Sequence, residues 1–245
     1  MSKKSYIIIA VLVGIALSAV GLLINHESLR NQISTVYIKV HGKYTVKDRL
    51  DQYGQDVQRR LAPDFQAAGL SYPPKQVAYI AFKDTKQLEV YARSSDVDSW
   101  VFIRTYPILK ASGRLGPKLK EGDLQVPEGI YRSNFLNPNS RYHLSIRVNY
   151  PNTFDQKMAK IDGRSQLGGD IMIHGDMVSI GCLAMGNVAA EELFILTALT
   201  DSQSAKIVIS PTDFRVNATV PMANDPHWLN ELYDQLRHEL KQFKQ

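Results

Sequence analysis

Strict alternation of polar and apolar residues between Arg141 and Asn149 is the feature that most restricts the fold of this chain. Successive side chains of a β-strand point to opposite faces, so the pattern predicts one strand with an apolar face and a polar face. The apolar face contains Tyr142, Leu144, Ile146 and Val148, and the polar face contains Arg141, His143, Ser145, Arg147 and Asn149. The polar face either meets water or lines a cleft for an anionic substrate, to which Arg141, His143 and Arg147 would contribute.

Other segments with strand patterns surround this one and place a globular domain at residues 73–212. The segments 77–82 and 87–91 predict a hairpin around the turn at residues 83–86. Further strands are expected at residues 100–109, 130–134 and 206–210. The stiff sequence Tyr72-Pro73-Pro74 marks the domain's N-terminal boundary, because a residue before proline avoids the helical conformation.

Helical patterns flank the predicted strands. Residues 25–72 are expected to be helical and membrane-proximal, with a capping box formed by Thr45 and Asp48 and an end or restart at Pro63. The interpretation favoured for this region is a spacer that holds the domain away from a membrane. Asn187 is expected to cap a short helix over residues 188–199.

The C-terminal segment, residues 213–245, predicts one more helix. It begins near Asp225-Pro226, and its apolar residues recur at helical spacing. The stripe contains Leu229, Leu232, Tyr233, Leu236, Leu240 and Phe243. A continuous apolar stripe of this kind is expected to pack over the domain or over another subunit, and not to carry chemistry.

The first 24 residues predict a membrane segment. Lys3 and Lys4 precede residues 6–24, which contain no charged side chain and are long enough to span a bilayer. A positive flank stays on the cytoplasmic side, so the rest of the chain is expected outside the cytoplasm, in a periplasm. Cleavage after Ser18 is the alternative to a retained signal anchor.

The charge pattern and the residue spacings exclude several function classes. The chain of 245 residues carries a formal net charge of only +5, and no segment combines clustered basic and aromatic residues, so no nucleic acid partner is expected. Glycine-rich phosphate loops and zinc-ligand spacings are absent from the sequence. Asp170, His174 and Asp176 form a possible metal-binding set, but no metal or other cofactor is expected beside a cysteine so close.

The segment 170–186 combines the residues that a thiol nucleophile needs. His174 is expected at the end of a short strand, and a loop with glycines at positions 175 and 181 returns the chain to Cys182. A neighbouring histidine lowers the pKa of a thiol and holds the reactive thiolate. The backbone N–H groups of Gly181 and Cys182 are positioned to face an oxyanion. Cys182 is the only cysteine of the chain and has no disulfide partner within it, which favours a catalytic use.

This segment resembles the active-site motif of the L,D-transpeptidase family, whose catalytic domain is called YkuD. His174-Gly175 matches its first half, and Ser179, Gly181 and Cys182 match its second half. Ile180 stands where that family has a second histidine, Ala184 stands where it has an arginine, and the loop between the halves is short. These departures, together with the sequences at 113–118, 122–123, 127–129, 137–140 and 142–143, resemble the YafK-like branch, and the resemblance covers residues 61–213.

The resemblance implies a mainly β domain of sandwich-like architecture with flanking helices, acting in the periplasm on peptidoglycan stem peptides. Cys182 would attack the carbonyl on the L-centre of meso-diaminopimelate and form a thioester, with His174 as base and Gly175 orienting the imidazole through its carbonyl. Ser179, Ile180, Gly181 and Cys182 would shape the oxyanion site. Tyr142 and His143 also belong to the matching motifs and are counted with Arg147 among the substrate-binding candidates.

Three functions remain open at this point. The YafK-like branch implies hydrolysis that releases an attached protein, such as a lipoprotein, or a D-amino acid from diaminopimelate. An L,D-transpeptidase would instead pass the acyl group to an amine. A membrane-anchored wall-binding protein without catalysis is the alternative of another class, and the retention of both Cys182 and His174 argues against it.

Overall fold

A computed structural model describes residues 43–177, 179, 181–217 and 226–244. From Thr45 onward the chain forms one compact unit. The helices are α1 (Val46–Ala67), α2 (Thr153–Ile161), α3 (Asn187–Leu199) and α4 (Leu229–Leu240). The strands are β1 (Gln76–Phe82), β2 (Gln87–Arg93), β3 (Val101–Pro107), β4 (Lys110–Ala111), β5 (Gly129–Ser140), β6 (His143–Val148), β7 (Met172–His174), β8 (Leu183–Ala184) and β9 (Lys206–Ser210).

The predicted membrane segment at residues 6–24 and most of the predicted membrane-proximal helix lie outside the described residues. Within the part of the chain that is described, no helix combines the length and the apolar composition that a membrane crossing requires.

All nine strands belong to one sheet, in the order β3-β2-β1-β9-β5-β6-β7-β8-β4, which curves into a half-barrel. The shared strand is β5. Its first residues, Gly129 to Arg132, pair with β9, and the rest of the strand pairs with β6. The expectation of a mainly β domain is confirmed, but a sandwich of two separate sheets is not what forms, because β5 is long enough to join both halves.

The predicted hairpin is confirmed: β1 and β2 pair in antiparallel fashion around residues 83–86. The strand expected at residues 130–134 is longer than predicted and continues to Ser140. Its pairing with β6 is irregular between Ser133 and Phe135 and again between Asn137 and Ser140. These β-bulges accommodate Asn134 and the turn-like sequence Asn137-Pro138-Asn139 within the strand. That turn-like sequence is why the strand pattern was expected to end earlier.

Apolar side chains cover both faces of the central strands. On one face, Val77, Tyr79 and Ala81 of β1 pack in a large core cluster with buried residues of α1 and α3. On the other face, Ala78, Ile80 and Phe82 join a second cluster that includes the stripe of α4. Because β1 is buried on both sides, it reads as an almost continuous apolar run in the sequence.

Helix α1 belongs to the large core and is not a free spacer. Thr45 and Asp48 form the predicted capping box, and Val57, Leu61 and Phe65 are fully buried. Pro63 lies inside the helix and does not end it. A proline in a helix interior costs about 3 kcal/mol, and the burial of Leu61 and Phe65 on either side of it offsets that loss.

Helix α4 begins at Leu229, a few residues after the predicted start. Its apolar stripe packs on the sheet, as the first of the two alternatives expected: Leu229, Leu232, Tyr233, Leu236, Leu240 and Phe243 are all buried.

Candidate active site

The register of two short strands brings His174 and Cys182 to the same face of the sheet. In the parallel pair β7 and β8, Ile173 is level with Leu183, and His174 is level with Ala184. Ile173 and Leu183 point into the large core, so the residues on either side of them point to the opposite face. Extending the same register by one residue places Cys182 level with Met172. Cys182 is thus offset from His174 by two residues along the strand direction.

Hydrogen bonding fixes the orientation of the His174 imidazole. Its Nδ1 lies 2.5 Å from the carbonyl oxygen of Gly175. A carbonyl can only accept, so Nδ1 carries the proton and Nε2 keeps a free lone pair. The ring also stacks on Tyr142, with 4.8 Å between ring centroids and 29° between planes. The side chain is buried, and burial lowers the pKa of His174 against the opposing effect of the Gly175 hydrogen bond.

The turn after His174 is held by Asn187, a residue that the sequence pattern assigns to a different task. Its Oδ1 accepts the backbone N–H of Asp176 at 2.9 Å. A Cβ atom on Gly175 would lie only 2.6 Å from the same Oδ1 and 2.9 Å from the carbonyl oxygen of Tyr142, so only glycine fits there. Asn187 is the first residue of α3, and Gly186 precedes it without a side-chain cap. The predicted capping role of Asn187 is therefore wrong, because its side chain points to the turn.

The thiol of Cys182 is half-buried and in contact with the peptide before β7. Its Sγ lies 3.7 Å from the carbonyl oxygen of Asp170. Burial raises the pKa of Cys182, and the carboxylate of Asp170 adds to this, whereas the N–H of Met172 and the ammonium of Lys118 oppose it. Between the two described side chains of His174 and Cys182 there is no hydrogen bond.

A thiolate held by His174 was the expectation, and the burial of both side chains works against that charged pair. Loss of water disfavours the charged form of each group, so it raises the pKa of an acid and lowers the pKa of a base. The thiol and the imidazole are both affected in this direction, and burial is the largest cause for each.

Both backbone N–H groups that were expected to face an oxyanion are already hydrogen-bonded. The N–H of Gly181 donates to Ser112 Oγ at 2.6 Å, and the N–H of Cys182 donates to Ser179 Oγ at 3.2 Å. Ser179 in turn donates to the carbonyl oxygen of Cys182 at 2.6 Å. Any oxygen that approached either N–H group would therefore have to replace a serine hydroxyl.

Ser112 is a site residue that the sequence pattern did not single out for this position. It begins the glycine- and proline-rich loop of residues 112–129, and its hydroxyl donates to the carbonyl oxygen of Leu124 at 2.8 Å. The one sequence feature that could have indicated a role for Ser112 is that it directly precedes the motif at residues 113–118. The hydroxyl thus links the loop to the peptide that precedes Cys182.

Buried polar contacts fix this loop to the core. The Lys83 ammonium lies 2.9 Å from the Glu128 carboxylate, and both side chains are almost fully buried. Glu128 also accepts from the N–H of Gly116 at 2.6 Å and from the Tyr233 hydroxyl at 3.0 Å. Because Lys83 and Glu128 neutralise each other in the interior, these contacts hold the loop in place beside Gly181.

The remaining predicted residues are divided between two places. His143, at a positive φ of 71°, faces the helices: its Nε2 lies 2.9 Å from Glu191 of α3, and its ring packs edge-on against Tyr53 of α1. It lies behind Gly175 and is not brought to the thiol. Arg147 shares the face of His174 and pairs with Met172. Ile180 lies outside the described residues.

The metal-binding alternative finds no support in the geometry. Among the described residues, which include Asp170, His174 and Asp176, no three acidic, histidine or cysteine side chains converge to hold a metal ion.

Comparison with known proteins finds relatives of this chain. The L,D-transpeptidase catalytic domain, YkuD, matches residues 77–209, which is more than half of the chain. The Escherichia coli K12 protein named "Putative L,D-transpeptidase YafK" is 34% identical over 169 residues, or 67% of this chain, and a protein of the same name from strain O157:H7 matches equally. The match spans 65% of the length of those relatives.

Two solved structures are similar at lower levels. The helical cell shape determining protein Pgp2 from Campylobacter jejuni is 23% identical, covers 58% of this chain and 50% of its own, and has a TM-score of 0.45. The Mycobacterium tuberculosis L,D-transpeptidase 1 is 16% identical, with 55% and 62% covered and a TM-score of 0.31. The match of the catalytic domain to residues 77–209 identifies the family: this chain belongs to the L,D-transpeptidases of the YkuD type.

Proposed function

We propose that this chain is a periplasmic cysteine enzyme that cleaves amides on the L-centre carbonyl of meso-diaminopimelate in peptidoglycan. Water is the preferred acceptor, so the reaction releases an attached D-amino acid or protein, such as a lipoprotein. Residues 6–24 anchor the enzyme to the inner membrane, with the catalytic domain on the periplasmic side.

The observation that carries the proposal is the state of His174. The Gly175 carbonyl holds the proton on Nδ1, and Nε2 therefore keeps a lone pair on the face that also carries Cys182. A base with one nitrogen fixed and the other free is what proton removal from a neighbouring thiol requires. A half-buried thiol beside such a base favours nucleophilic catalysis over a purely structural role.

In the first half of the reaction, His174 Nε2 takes the proton of Cys182 as Sγ attacks the carbonyl carbon. The neutral starting state means that proton transfer accompanies the attack. The tetrahedral oxygen takes the N–H of Gly181 or Cys182 in exchange for a serine hydroxyl. The imidazolium then protonates the leaving nitrogen, the C–N bond breaks, and a thioester remains.

In the second half, His174 removes a proton from water as the water oxygen attacks the thioester. The C–S bond breaks, the thiol regains its proton, and a free carboxylate is left on the diaminopimelate. Overall, one amide and one water become one carboxylic acid and one amine.

Hydrolysis is favoured over transpeptidation because little chain is available to enclose the acyl-enzyme. A transpeptidase must keep water from its thioester until an amine arrives, which requires a walled acceptor site. The loop between Gly175 and Ser179 is short, and Ile180 replaces the second histidine of the family. Water then reaches the thioester readily, and an amine acceptor is held less well.

The test uses full-length enzyme in detergent with defined muropeptides that carry a D-amino acid on diaminopimelate, read by mass spectrometry. In a large excess of a second D-amino acid, we expect the hydrolysed tripeptide to exceed the exchange product. Dominance of the exchange product would make this chain a transpeptidase.

Cys182→Ala and His174→Ala serve as the matched variants in the same assay. We expect no conversion by Cys182→Ala and a loss of about 10²–10⁴-fold for His174→Ala, the usual contribution of a general base. Conversion by Cys182→Ala above a blank without enzyme would disprove the covalent mechanism. If wild type converts nothing but binds the muropeptides, the wall-binding alternative is correct.

A further inference from the structure

Four strand positions line up across the sheet on the face that carries the thiol. Phe135 of β5 is level with Arg147 of β6, and Arg147 is level with Met172 of β7. The register of β7 and the segment before β8 places Cys182 level with Met172. We refer to Cys182, Met172, Arg147 and Phe135 as the cross-strand row. Neighbouring strands are about 4.8 Å apart, so Arg147 lies two strand spacings from Cys182.

The cross-strand row is open to solvent along its length. Cys182, Met172 and Arg147 are half-buried, and Phe135 is 48% exposed. The residues between these positions, Leu136, Ile146, Ile173 and Leu183, point into the large core. The row therefore forms a partly exposed strip of the sheet surface that leads away from the thiol.

Neighbouring side chains hold the Arg147 guanidinium in place. Its Nε donates to Asn134 Oδ1 at 2.9 Å, and its Cζ lies 5.4 Å from the centroid of the Phe135 ring. Asn134 is the extra residue at the β5 bulge between Ser133 and Phe135. Bulges next to active sites often re-aim a side chain, and this one turns the Asn134 amide toward Arg147.

The two terminal nitrogens of Arg147 are left for a ligand. Among the described residues, no carboxylate pairs with Arg147, and its only hydrogen bond is the one from Nε. The Nε atom is held by Asn134, and one face of the planar guanidinium lies over the Phe135 ring. The two Nη atoms remain available, and their planar arrangement matches the two oxygens of a carboxylate.

We propose that Arg147, held by Asn134 and Phe135, binds the free carboxylate at the far centre of the diaminopimelate residue whose L-centre carbonyl is attacked by Cys182. This inference rests on the proposed function. The aliphatic chain between the two centres would lie over the apolar side chain of Met172, which is between Arg147 and Cys182 in the cross-strand row. The cross-strand row thus contacts both ends of one diaminopimelate residue, with Cys182 at the L-centre carbonyl and Arg147 at the far carboxylate. Arg147 determines substrate specificity without taking part in the chemistry.

Two donor peptides test this proposal: one with the far carboxylate free and one with the same group converted to a carboxamide. We expect wild type to prefer the carboxylate donor by about 10- to 100-fold in kcat/KM, the usual range for a hydrogen bond to a charged group. Arg147→Gln should lower kcat/KM much more for the carboxylate donor than for the carboxamide donor, so that the preference falls to about twofold or less. Arg147→Lys, which keeps the charge but not the fork, should retain part of the preference.

Arg132→Gln is the matched control, because Arg132 is an exposed arginine of the neighbouring strand β5 that lies outside the cross-strand row. It should keep the wild-type preference. Equal kcat/KM values for the two donors in wild type, or an undiminished preference in Arg147→Gln, would overturn the proposal and leave Arg147 as a brace of the bulge.

Binding to full-length Cys182→Ala, measured by calorimetry, separates this proposal from the catalytic one. If wild type turns over neither donor, the proposed function fails. The Kd ratio of the two peptides for Cys182→Ala and for the Cys182→Ala/Arg147→Gln double variant still decides whether Arg147 binds the carboxylate. A ratio above tenfold that disappears in the double variant supports the subsite, and equal Kd values refute it.

Discussion

The raised pKa of Cys182 and the lowered pKa of His174 share one main cause, which is the loss of water around each side chain. A thiolate–imidazolium pair would need a direct contact strong enough to overcome that loss for both charges. The hydrogen bond of His174 goes to Gly175 instead, and the thiol lies against the Asp170 carbonyl. These contacts and the burial of both groups therefore favour a neutral imidazole and a protonated thiol over the ion pair.

This state predicts how alkylation of Cys182 depends on pH. In wild type, the midpoint of the rise in iodoacetamide labelling rate with pH should lie above pH 9.0, the ordinary pKa of the thiol from which burial raises it. In His174→Ala the labelling midpoint should not increase, because His174 does not stabilise the thiolate. Turnover, in contrast, should fall by about 10²–10⁴-fold. A wild-type midpoint well below pH 9.0 that increases in His174→Ala would show that an ion pair exists.

The same two shifts set the expected limits of activity. Because the pKa of His174 lies below its usual 6.5, the base remains neutral somewhat below pH 6.5, and kcat/KM should decline only at still lower pH. Because the pKa of the thiol is raised, the alkaline decline should begin above pH 9.0. The pH range over which kcat/KM is constant is thus wider than it would be if both groups had their ordinary pKa values.

At the residue scale, sequence reasoning predicted that His174 and Cys182 lie near each other but not what surrounds them. His174, Gly175 and Cys182 are close in the chain, so a local motif is enough to place them together. The occupied N–H of Gly181 was not predictable in the same way, since its partner Ser112 is 69 residues away. The pKa directions also depend on burial by distant strands, which a local pattern does not contain.

At the element scale, strands were predicted well where one face alternates and less well where the ladder is irregular. β1 and β2 pair as predicted, and β6 alternates as predicted from Leu144 to Val148 but not at Tyr142 and His143. The bulges of β5 interrupt the pattern of its second half. Helix α1 was predicted with its cap but with the wrong role. Its partners in the core lie far along the chain, and periodicity shows an apolar face without showing what covers it.

The position of α1 in the large core leads to a stability prediction. Leu61→Ala should lower the free energy of unfolding by about 2–5 kcal/mol, because Leu61 is fully buried and its removal leaves a cavity. Gln58→Ala, at an exposed position of the same helix, should change it by less than about 0.5 kcal/mol. Urea denaturation followed by circular dichroism measures both. If the two variants unfold alike, α1 would act as the spacer that its sequence first indicated.

At the scale of the whole molecule, topology is the part that the chain order does not reveal. β9 inserts between β1 and β5, parallel to β1, although more than a hundred residues separate it from β1. That insertion completes the two-sided core, and the shared strand β5 then carries the sheet round to β6, β7 and the site. A mainly β domain follows from the alternating segments, whereas the single continuous sheet depends on which strands become neighbours.

The N-terminal segment gives the last prediction, which concerns the placement of the whole molecule. Residues 6–24 contain no charge and follow Lys3 and Lys4, so the chain should be retained in the inner membrane with its catalytic domain in the periplasm. Full-length protein should stay in the membrane fraction after a carbonate wash, and external protease should degrade it only once the outer membrane is opened. Replacing residues 1–24 by a cleavable export signal should release the domain into the periplasmic fraction. Release of the full-length protein by the same wash would mean that the segment is cleaved, as the small residues before position 19 allow.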